Sequence, residues 1–173
     1  RQVERHRFGV DLHPPEGAQW EAGDILEILP RNGAEQVQRW LHAHGLQALQ
    51  SVTVEPLGHT LAEALTSRQL PASASHLVGL HAQVLLDALV PLPGREYSIA
   101  SLPADGTLEL IVRQQRLANG ELGLGSGWLT AHLPVGAQLL ARVRRNSAFH
   151  APVDDCPLIL IGNGTGLAGL RSL

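Results

Sequence analysis

The order of strand-forming and helix-forming segments is the feature that most limits how this chain can fold. Strand signals fill the first thirty residues and return from Gly94 onward, whereas residues 33–91 show helical periodicity. Short alternating or apolar runs bounded by Gly and Pro are typical of strands, and apolar residues recurring at three- and four-residue spacing are typical of helices. The sequence therefore predicts strands at both ends of the chain and helices between them.

The strands are predicted from alternation and from turn residues. Arg7–Leu12 alternates polar and apolar residues, and His13–Gly17 is a turn because two prolines and a glycine cannot continue a ladder. A second strand, Ile25–Leu29, ends at Pro30. The strands expected after the helical segment are Tyr97–Ser101, Leu108–Gln114 and Leu139–Val143.

The helices are predicted from their apolar stripes and their caps. Asn32 is the expected N-cap of the first helix and Gly45 its C-terminal stop. The stripe of this helix consists of Val37, Trp40, Leu41 and His44. The second helix spans Thr60–Arg68, with Thr60 and Glu63 in capping-box spacing. The third spans Ser75–Leu89, and its predicted buried stripe consists of Leu77, Leu80, Val84 and Leu85.

A continuous apolar run near the end of the chain predicts a different kind of strand. Leu158–Ile161 is followed by the glycine-rich loop Gly162–Gly166, an order typical of the first strand of a parallel α/β domain, whose faces are both buried. Only seven residues follow Gly166, and the chain contains no Met. We therefore expect a piece of a longer protein, in which residues 156–173 begin a truncated domain.

Composition excludes several classes of function. A formal charge of −3 gives no general attraction to nucleic acid or to an anionic membrane. No apolar run approaches the ~20 residues that span a bilayer. The single cysteine, Cys156, is expected to be a buried thiol in a reducing, cytoplasmic environment. The nine histidines contain no His-x-x-x-His pair, so no metal site is predicted.

Four segments, in the same order, resemble the FAD-binding module of the NADPH-dependent diflavin reductases, a family related to ferredoxin–NADP reductase. Within that family the chain looks most like the flavoprotein component of NADPH–sulfite reductase. The segments are Trp20–Leu26, Arg95–Ser98, Gly123–Leu129 and Pro157–Arg171. In the first, Asp24 after Gly23 is expected to have a structural role.

The second segment is similar to the Arg-x-Tyr-Ser motif that holds the flavin in this family. The resemblance implies that Arg95 binds the FAD pyrophosphate, a contact that suits a planar and permanently charged guanidinium. It implies that Tyr97 lies against the flavin or ribityl group, and that Ser98 is a catalytic residue near flavin N5, the hydride-accepting atom. Glu96 belongs to the same cofactor-binding stretch.

The remaining segments are implied to bind phosphates. Gly123, Leu124, Gly125 and Ser126 would hold the FAD pyrophosphate at the first turn of a helix over residues 126–133, with Ser126 as both cap and phosphate ligand. Gly164, Thr165 and Gly166 resemble the pyrophosphate and nicotinamide loop of the NADPH domain. Without the rest of that domain, this loop is expected to be a remnant or disordered.

The resemblance also implies a fold and an activity. The fold is a six-stranded antiparallel Greek-key FAD-binding barrel built from residues 1–32 and 92–155, with a helical connecting insertion at 33–91. In the intact enzyme, hydride would pass from NADPH to FAD, and electrons would then pass to a flavodoxin-like FMN domain and to an acceptor such as a sulfite-reducing haemoprotein. The fragment alone is not expected to complete this turnover.

Three departures leave an alternative open. Leu117 stands where the family has an FAD-contacting tyrosine, Asn163 and Gly169 stand where it has proline, and the helical insertion is shorter than in the family. The chain could therefore be a non-catalytic remnant that acts as a binding or docking module without flavin. A hydrolase is not supported, because Gly125-Ser126-Gly127 lacks the spacing of a nucleophile elbow.

Overall fold

A computed structural model describes residues 7–54, 57–73, 75–152 and 157–173. The chain forms two compact units, which we call the strand unit (Arg1–Leu29 and Gly94–Leu173) and the helical unit (Pro30–Pro93). Cys156, for which a buried thiol is predicted, lies outside the described residues.

The described residues contain seven strands and five α-helices. The strands are β1 (Arg7–Leu12), β2 (Ile25–Ile28), β3 (Ser51–Val54), β4 (Leu57–Thr60), β5 (Arg95–Ser98), β6 (Leu108–Arg113) and β7 (Ala141–Arg144). The helices are α1 (Ala34–Ala43), α2 (Leu61–Leu65), α3 (Ala82–Ala88), α4 (Leu124–Gly127) and α5 (Leu167–Arg171). Short 3-10 turns lie at Ser75–Leu77, Pro103–Asp105, Ser147–Phe149 and Gly164–Gly166. In this part of the chain no helix has both the length and the apolar character needed to cross a bilayer.

The strand unit is built from antiparallel pairs. β1 pairs with β6 from Arg7 opposite Arg113 to Leu12 opposite Leu108. β2 lies between β5 and β7 and is antiparallel to both. A single bridge between Ile99 and Leu110 connects the two sheets. Strands from both ends of the chain therefore pair within one unit, as the sequence predicts.

The predicted closed barrel is not confirmed. Five strands of the strand unit are present in the described residues, in the orders β1-β6 and β5-β2-β7, and no pairing there joins β1 to β7. Closure requires a continuous hydrogen-bonded ladder around the whole sheet. Here a single bridge joins the β5-β2-β7 sheet to the β1-β6 sheet, because β5 ends at Ser98 and only Ile99 pairs with β6.

The core of the strand unit follows from strand alternation. Along β6, Leu108, Leu110 and Val112 are buried and alternate with more exposed residues. They pack with Leu26 and Ile28 of β2. The other buried members of this cluster are Trp20, Ile99, Trp128 and Leu129. Full burial of a large aliphatic side chain contributes about 1.5–3 kcal/mol, so this cluster is the main stabilising feature of the unit.

In the helical unit, the first helix has the predicted core but a different cap. Val37, Trp40 and Leu41 of α1 are buried, and Gly45, with φ +64°, follows its C-terminal end. The N-cap is Gly33, so the prediction of Asn32 as cap is wrong. The Asn32 side-chain amide instead donates to the carbonyls of Leu65 and Arg68, at 2.9 and 2.7 Å. Asn32 thus connects α1 to the end of α2.

The two later helices differ in how closely they match prediction. The capping box of Thr60 and Glu63 is confirmed, since each side chain binds the other residue's backbone N–H. The predicted helix Ser75–Leu89 is instead a 3-10 turn followed by α3, because Gly79 breaks it with a φ of +82°. Leu80 and Val84 are consequently exposed, contrary to the predicted stripe.

A hairpin was only half predicted. The run Val52–Val54 predicts a short extended segment, and it lies in β3, whereas the partner strand β4 is not predicted. The pairing runs from Ser51 opposite Thr60 to Val54 opposite Leu57.

The predicted parallel strand at Leu158–Ile161 is not formed. These residues have no strand assignment, and Ile159 and Ile161 are each 88% exposed. A strand buried on both faces needs neighbouring strands and covering helices, and none pairs with this run in the described part of the chain. In the glycine-rich loop behind it, Gly164–Gly166 forms a 3-10 turn that leads into α5.

Candidate functional site

Arg95 and Tyr97 lie on one face of β5. Side chains alternate along a strand, and residues opposite each other in a pair share a face. Tyr97 is opposite Leu26 and Arg95 is opposite Ile28, both of which are buried. Arg95 and Tyr97 therefore emerge on the core side of the sheet, where each is half-buried.

The segment Gly123–Ser126 starts a helix, but not at the predicted residue. Gly123 is the N-cap, with an extended backbone (φ −60°, ψ 140°), and α4 begins at Leu124. Ser126 lies in the first turn instead of at the cap, and its hydroxyl accepts a hydrogen bond from the Gln115 N–H at 3.0 Å. The N–H groups of residues 124–126 are those that a helix leaves without an intrahelical acceptor. The helix continues as a π-helical turn, Trp128–His132.

The β5 strand and the α4 turn meet at Gly125. A Cβ atom at this position would lie 2.7 Å from Cγ of Arg95 and 2.7 Å from the hydroxyl oxygen of Tyr97. Real Cβ atoms do not approach other heavy atoms that closely, so only glycine fits without displacing one of these side chains. Two segments that lie about thirty residues apart in the sequence are thereby brought into direct contact.

The electrostatics of this cluster are asymmetric. The Arg95 guanidinium donates to the Gly94 carbonyl at 3.1 Å, and among the described residues no carboxylate forms an ion pair with it. Burial raises the pKa of the Tyr97 phenol, and the nearby Arg95 charge offsets part of that rise. Tyr97 therefore remains a neutral hydroxyl at physiological pH, beside a cation that is free to bind an anion.

Glu96 and Ser98 lie on the opposite face of β5. Glu96 forms a two-point ion pair with Arg144 of β7, at 3.1 and 3.0 Å. On the same face, Glu27 of β2 pairs with Arg142. The structure thus brings together Arg95, Tyr97 and Gly125, and it turns Glu96 and Ser98 away from them.

The loop Gly164–Gly166 is placed on the strand unit beside β6 and α5. Arg171, in α5, pairs with Glu109 of β6. Leu170 packs against Gly162, where a Cβ atom would lie 2.5 Å from a Leu170 methyl carbon. These contacts attach α5 to β6, in the β1-β6 sheet, and not to the β5-β2-β7 sheet that carries the candidate site.

A second polar cluster surrounds the predicted structural residue Asp24, which is 4% exposed. Its carboxylate accepts from the N–H groups of Glu21 and Asn146, at 3.0 and 2.9 Å, and contacts the His150 ring at 2.7 Å. No pattern in the sequence singles out His150. Its signal was only a histidine following an aromatic residue, which carries no information about a partner 126 positions away.

The pKa of Asp24 is below its ordinary value. Burial tends to raise the pKa, but the hydrogen bond from His150 and those from the Glu21 and Asn146 N–H groups outweigh it. Asp24 is therefore an ionised, fully hydrogen-bonded carboxylate at neutral pH. In the described ranges, no group of three or more His, Cys, Asp or Glu residues is arranged to hold a metal ion.

Comparison with known proteins gives a consistent result. No family model matches the chain. The NADPH sulfite reductase flavoprotein alpha-component of Shewanella oneidensis is 34% identical over 122 aligned positions, which cover 67% of this chain and 19% of that protein. The same component of Vibrio vulnificus is 32% identical over 160 positions, covering 85% of this chain and 24% of that protein. That of Photorhabdus laumondii is 26% identical over 203 positions, covering 90% and 34%.

The chain spans about a fifth to a quarter of the length of the first two relatives. These relatives are all named as flavoprotein components of an NADPH-dependent reductase. Over this segment, the chain is a homologue of the sulfite reductase flavoprotein alpha-component and belongs with the flavoprotein reductases.

Proposed function

We propose that this chain is the FAD-binding module of an NADPH-dependent flavoprotein reductase. The observation that carries the proposal is the contact of Gly125 with both Arg95 and Tyr97. This contact joins two segments, Arg95–Ser98 and Gly123–Leu129, that are separate in the sequence and that each resemble a flavin-binding motif. A hairpin turn without a binding role does not require a glycine in close contact with both an arginine and a tyrosine.

The residues of this cluster fit the chemistry of FAD. A pyrophosphate requires positive charge and N–H donors, and it needs room for close approach of the backbone. Arg95 supplies a cation, and the first turn of α4 supplies N–H groups next to a glycine N-cap. A charge-assisted contact of this kind contributes about 1.5–3 kcal/mol.

Each residue has a role in the proposed site. Arg95 and the backbone of residues 123–126 hold the pyrophosphate, and Tyr97 lies against the flavin or ribityl group with its hydroxyl protonated. When bound, FAD supplies the hydride and electron chemistry, and the protein binds, orients and shields it. The role of Ser98 at flavin N5 remains a prediction that requires Ser98 to reach around the edge of β5.

The wider assignments belong to the intact protein. We propose that residues 1–32 and 92–155 form a six-stranded FAD-binding barrel, that 33–91 are a connecting insertion, and that 156–173 begin an NADPH-binding domain containing the Gly164–Gly166 loop. NADPH is then the hydride donor, and electrons leave FAD for a flavodoxin-like FMN domain and a haemoprotein acceptor in the cytoplasm.

Titration of the protein with FAD, followed by quenching of flavin fluorescence, tests the binding proposal. Arg95→Ala is expected to weaken binding about 10- to 100-fold, the equivalent of losing one charge-assisted contact. The matched control is Arg39→Ala, because Arg39 is an exposed arginine of α1 in the helical unit. Equal affinities of the two variants would rule out Arg95 as a pyrophosphate ligand.

The alternative is a docking module that has lost flavin. The names of the relatives do not favour it, since each describes a flavoprotein. Leu117, which is 44% exposed, and the short helical insertion at 33–91 are the features that support it. Absence of FAD binding by the unmodified, folded chain at micromolar flavin would decide for this alternative.

A further inference from the structure

His150 lies between two carboxylates. Its Nε2 atom is 2.7 Å from Oδ1 of Asp24, and its Nδ1 atom is 3.2 Å from Oε2 of Glu21. We call these three residues the His150 clamp. The imidazole and the Asp24 carboxylate are largely buried, with side-chain exposures of 16% and 5%, whereas the Glu21 side chain is 58% exposed.

The geometry determines which protonation state fits. An ionised carboxylate can only accept hydrogen bonds, and a neutral imidazole has a single N–H. A neutral ring can therefore satisfy one of the two carboxylates and must turn a lone pair towards the other. Only the imidazolium form, with both nitrogens protonated, donates to both at once.

The His150 clamp lies around the turn Glu21–Asp24, and this turn contacts the end of α5. Gly23, between Glu21 and Asp24, donates its N–H to the hydroxyl of Ser172 at 3.1 Å. The same hydroxyl donates to the Gly169 carbonyl at 2.9 Å, and Ser172 is 2% exposed. The backbone N–H of Gly23 is therefore the attachment point for the end of α5.

Phe149 couples the clamp to α5 a second time. A Cβ atom at Gly23 would lie 2.5 Å from the Phe149 carbonyl oxygen, and one at Gly169 would lie 2.9 Å from the Phe149 ring. Phe149 thus fills the space between the Gly23 turn and α5, directly before His150. A movement of His150 displaces Phe149 and the turn together, since all three are in contact.

We propose that His150 is a positioning residue whose protonation controls how firmly residues 167–172 are held against the Gly23 turn. The segment is held tightly when His150 is charged and bridges Glu21 and Asp24, and it is released in part when His150 loses a proton. The inference is separate from flavin binding, because none of its contacts involves Arg95, Tyr97 or Gly125.

The charged groups around His150 define the direction of the pH effect. Among the described residues these are Glu21 and Asp24 from the turn before β2 and Arg145 after β7, which pairs with Glu21 at 3.3 Å. Histidine is the side chain whose charge normally changes near neutral pH, and a lower pH favours its imidazolium form. The segment is therefore held most firmly in mild acid and less firmly above neutral pH.

Amide hydrogen exchange measures this directly. Protection of Gly23 and of residues 167–172, corrected for the intrinsic pH dependence of exchange, is compared at about pH 5.5 and about pH 8. We expect it to fall about 3- to 10-fold at the higher pH in the unmodified chain. His150→Arg carries a permanent charge with donors for both carboxylates, so its protection is expected to be independent of pH.

Two further variants complete the test. His150→Gln, with one amide in place of two charged donors, is expected to show low protection at both pH values. His13→Gln, at an exposed histidine in a turn of the same unit, is expected to behave as the unmodified chain. The proposal is overturned if the unmodified chain shows no fall in protection, or if His150→Arg shows the same fall.

Discussion

The two faces of the β5-β2-β7 sheet use charge in opposite ways. On the outer face, Glu27 pairs with Arg142 and Glu96 pairs with Arg144. On the core-side face, Arg95 has no carboxylate partner among the described residues and touches a glycine instead. Paired charges at a surface contribute little to stability and need no ligand, whereas an unpaired, half-buried arginine is costly unless something else binds it. On the basis of this difference we propose a structural role for the outer face and a binding role for the inner one.

The largest effect is expected from filling the gap at Gly125. Gly125→Ala places a methyl group 2.7 Å from Arg95 and Tyr97, so one of the two side chains must move. FAD affinity is expected to fall at least about 100-fold, since both the cation and the aromatic surface are displaced. Fluorescence titration with FAD measures this affinity.

The control for that substitution is Gly9→Ala. No atom lies within 4 Å of a Cβ at Gly9, so the added methyl meets open space. Unchanged FAD affinity in Gly125→Ala would mean that the inner face does not hold the flavin, and the contrast between the faces would lose its functional meaning.

A smaller effect is expected at Asp24, which belongs to neither face of the sheet. Asp24→Asn removes a charge that His150 and two backbone N–H groups stabilise, and it is expected to lower the free energy of unfolding by about 1–3 kcal/mol at pH 7. Because the pKa of Asp24 is lowered in the fold, its contribution is present above its ordinary pKa near 3.8 and is lost as pH falls through the lower folded value.

Urea unfolding at pH 7 and about pH 3 measures the Asp24 contribution. The stability difference between the unmodified chain and Asp24→Asn should shrink in acid. A difference that stays constant would show that hydrogen-bond geometry, and not the charge of Asp24, stabilises the turn.

Ser98 tests the comparison of the two sheet faces, because the sequence resemblance and the structure place its side chain differently. The resemblance puts Ser98 at flavin N5, while strand alternation puts it on the face opposite Tyr97. We expect Ser98→Ala to change FAD affinity by no more than about threefold, a loss of one neutral hydrogen bond at most. Loss of affinity beyond about tenfold would indicate that β5 twists enough to bring Ser98 to the flavin.

The smallest effect is expected on the outer face. Glu96→Gln breaks an exposed ion pair with Arg144, so the free energy of unfolding should change by less than about 1 kcal/mol and FAD affinity should not change. Thermal unfolding and FAD titration measure the two quantities. A large loss of FAD affinity would extend the binding role to both faces of the sheet.

Local sequence patterns predicted those strands and helices whose position depends on neighbouring residues. Alternation located β1 at Arg7–Leu12, and the Thr60–Glu63 spacing located the start of α2. The same reasoning failed for Asn32 and for the stripe containing Val84. Asn32 forms hydrogen bonds to residues more than thirty positions away, and the break at Gly79 rotates the later helix away from its expected phase. The partners of Asn32 lie outside any local window, whereas Gly79 lies within the predicted helix itself.

The candidate site was also predictable only in part. The residue types Arg, Tyr and Gly at the flavin-like segments were visible in the sequence, because charge, ring and freedom of the backbone belong to the residue itself. Their assembly was not visible, since contact between Gly125 and Arg95 depends on how β5 and α4 pack. The His150 clamp had no sequence signal at all, because a histidine gains its role only from the carboxylates that surround it.

The sequence by itself determined the flavoprotein kinship and the grouping of strands at both ends of the chain, because motif chemistry and periodicity are properties of neighbouring residues. Tertiary structure alone decided that Glu96 is paired and that Arg95 has no carboxylate partner within the described part of the chain. It also decided that the run Leu158–Ile161 stays exposed and that α5 is tied to the Gly23 turn. The physical reason is that burial, ion pairing and strand closure are set by residues distant in sequence, whose positions only packing determines.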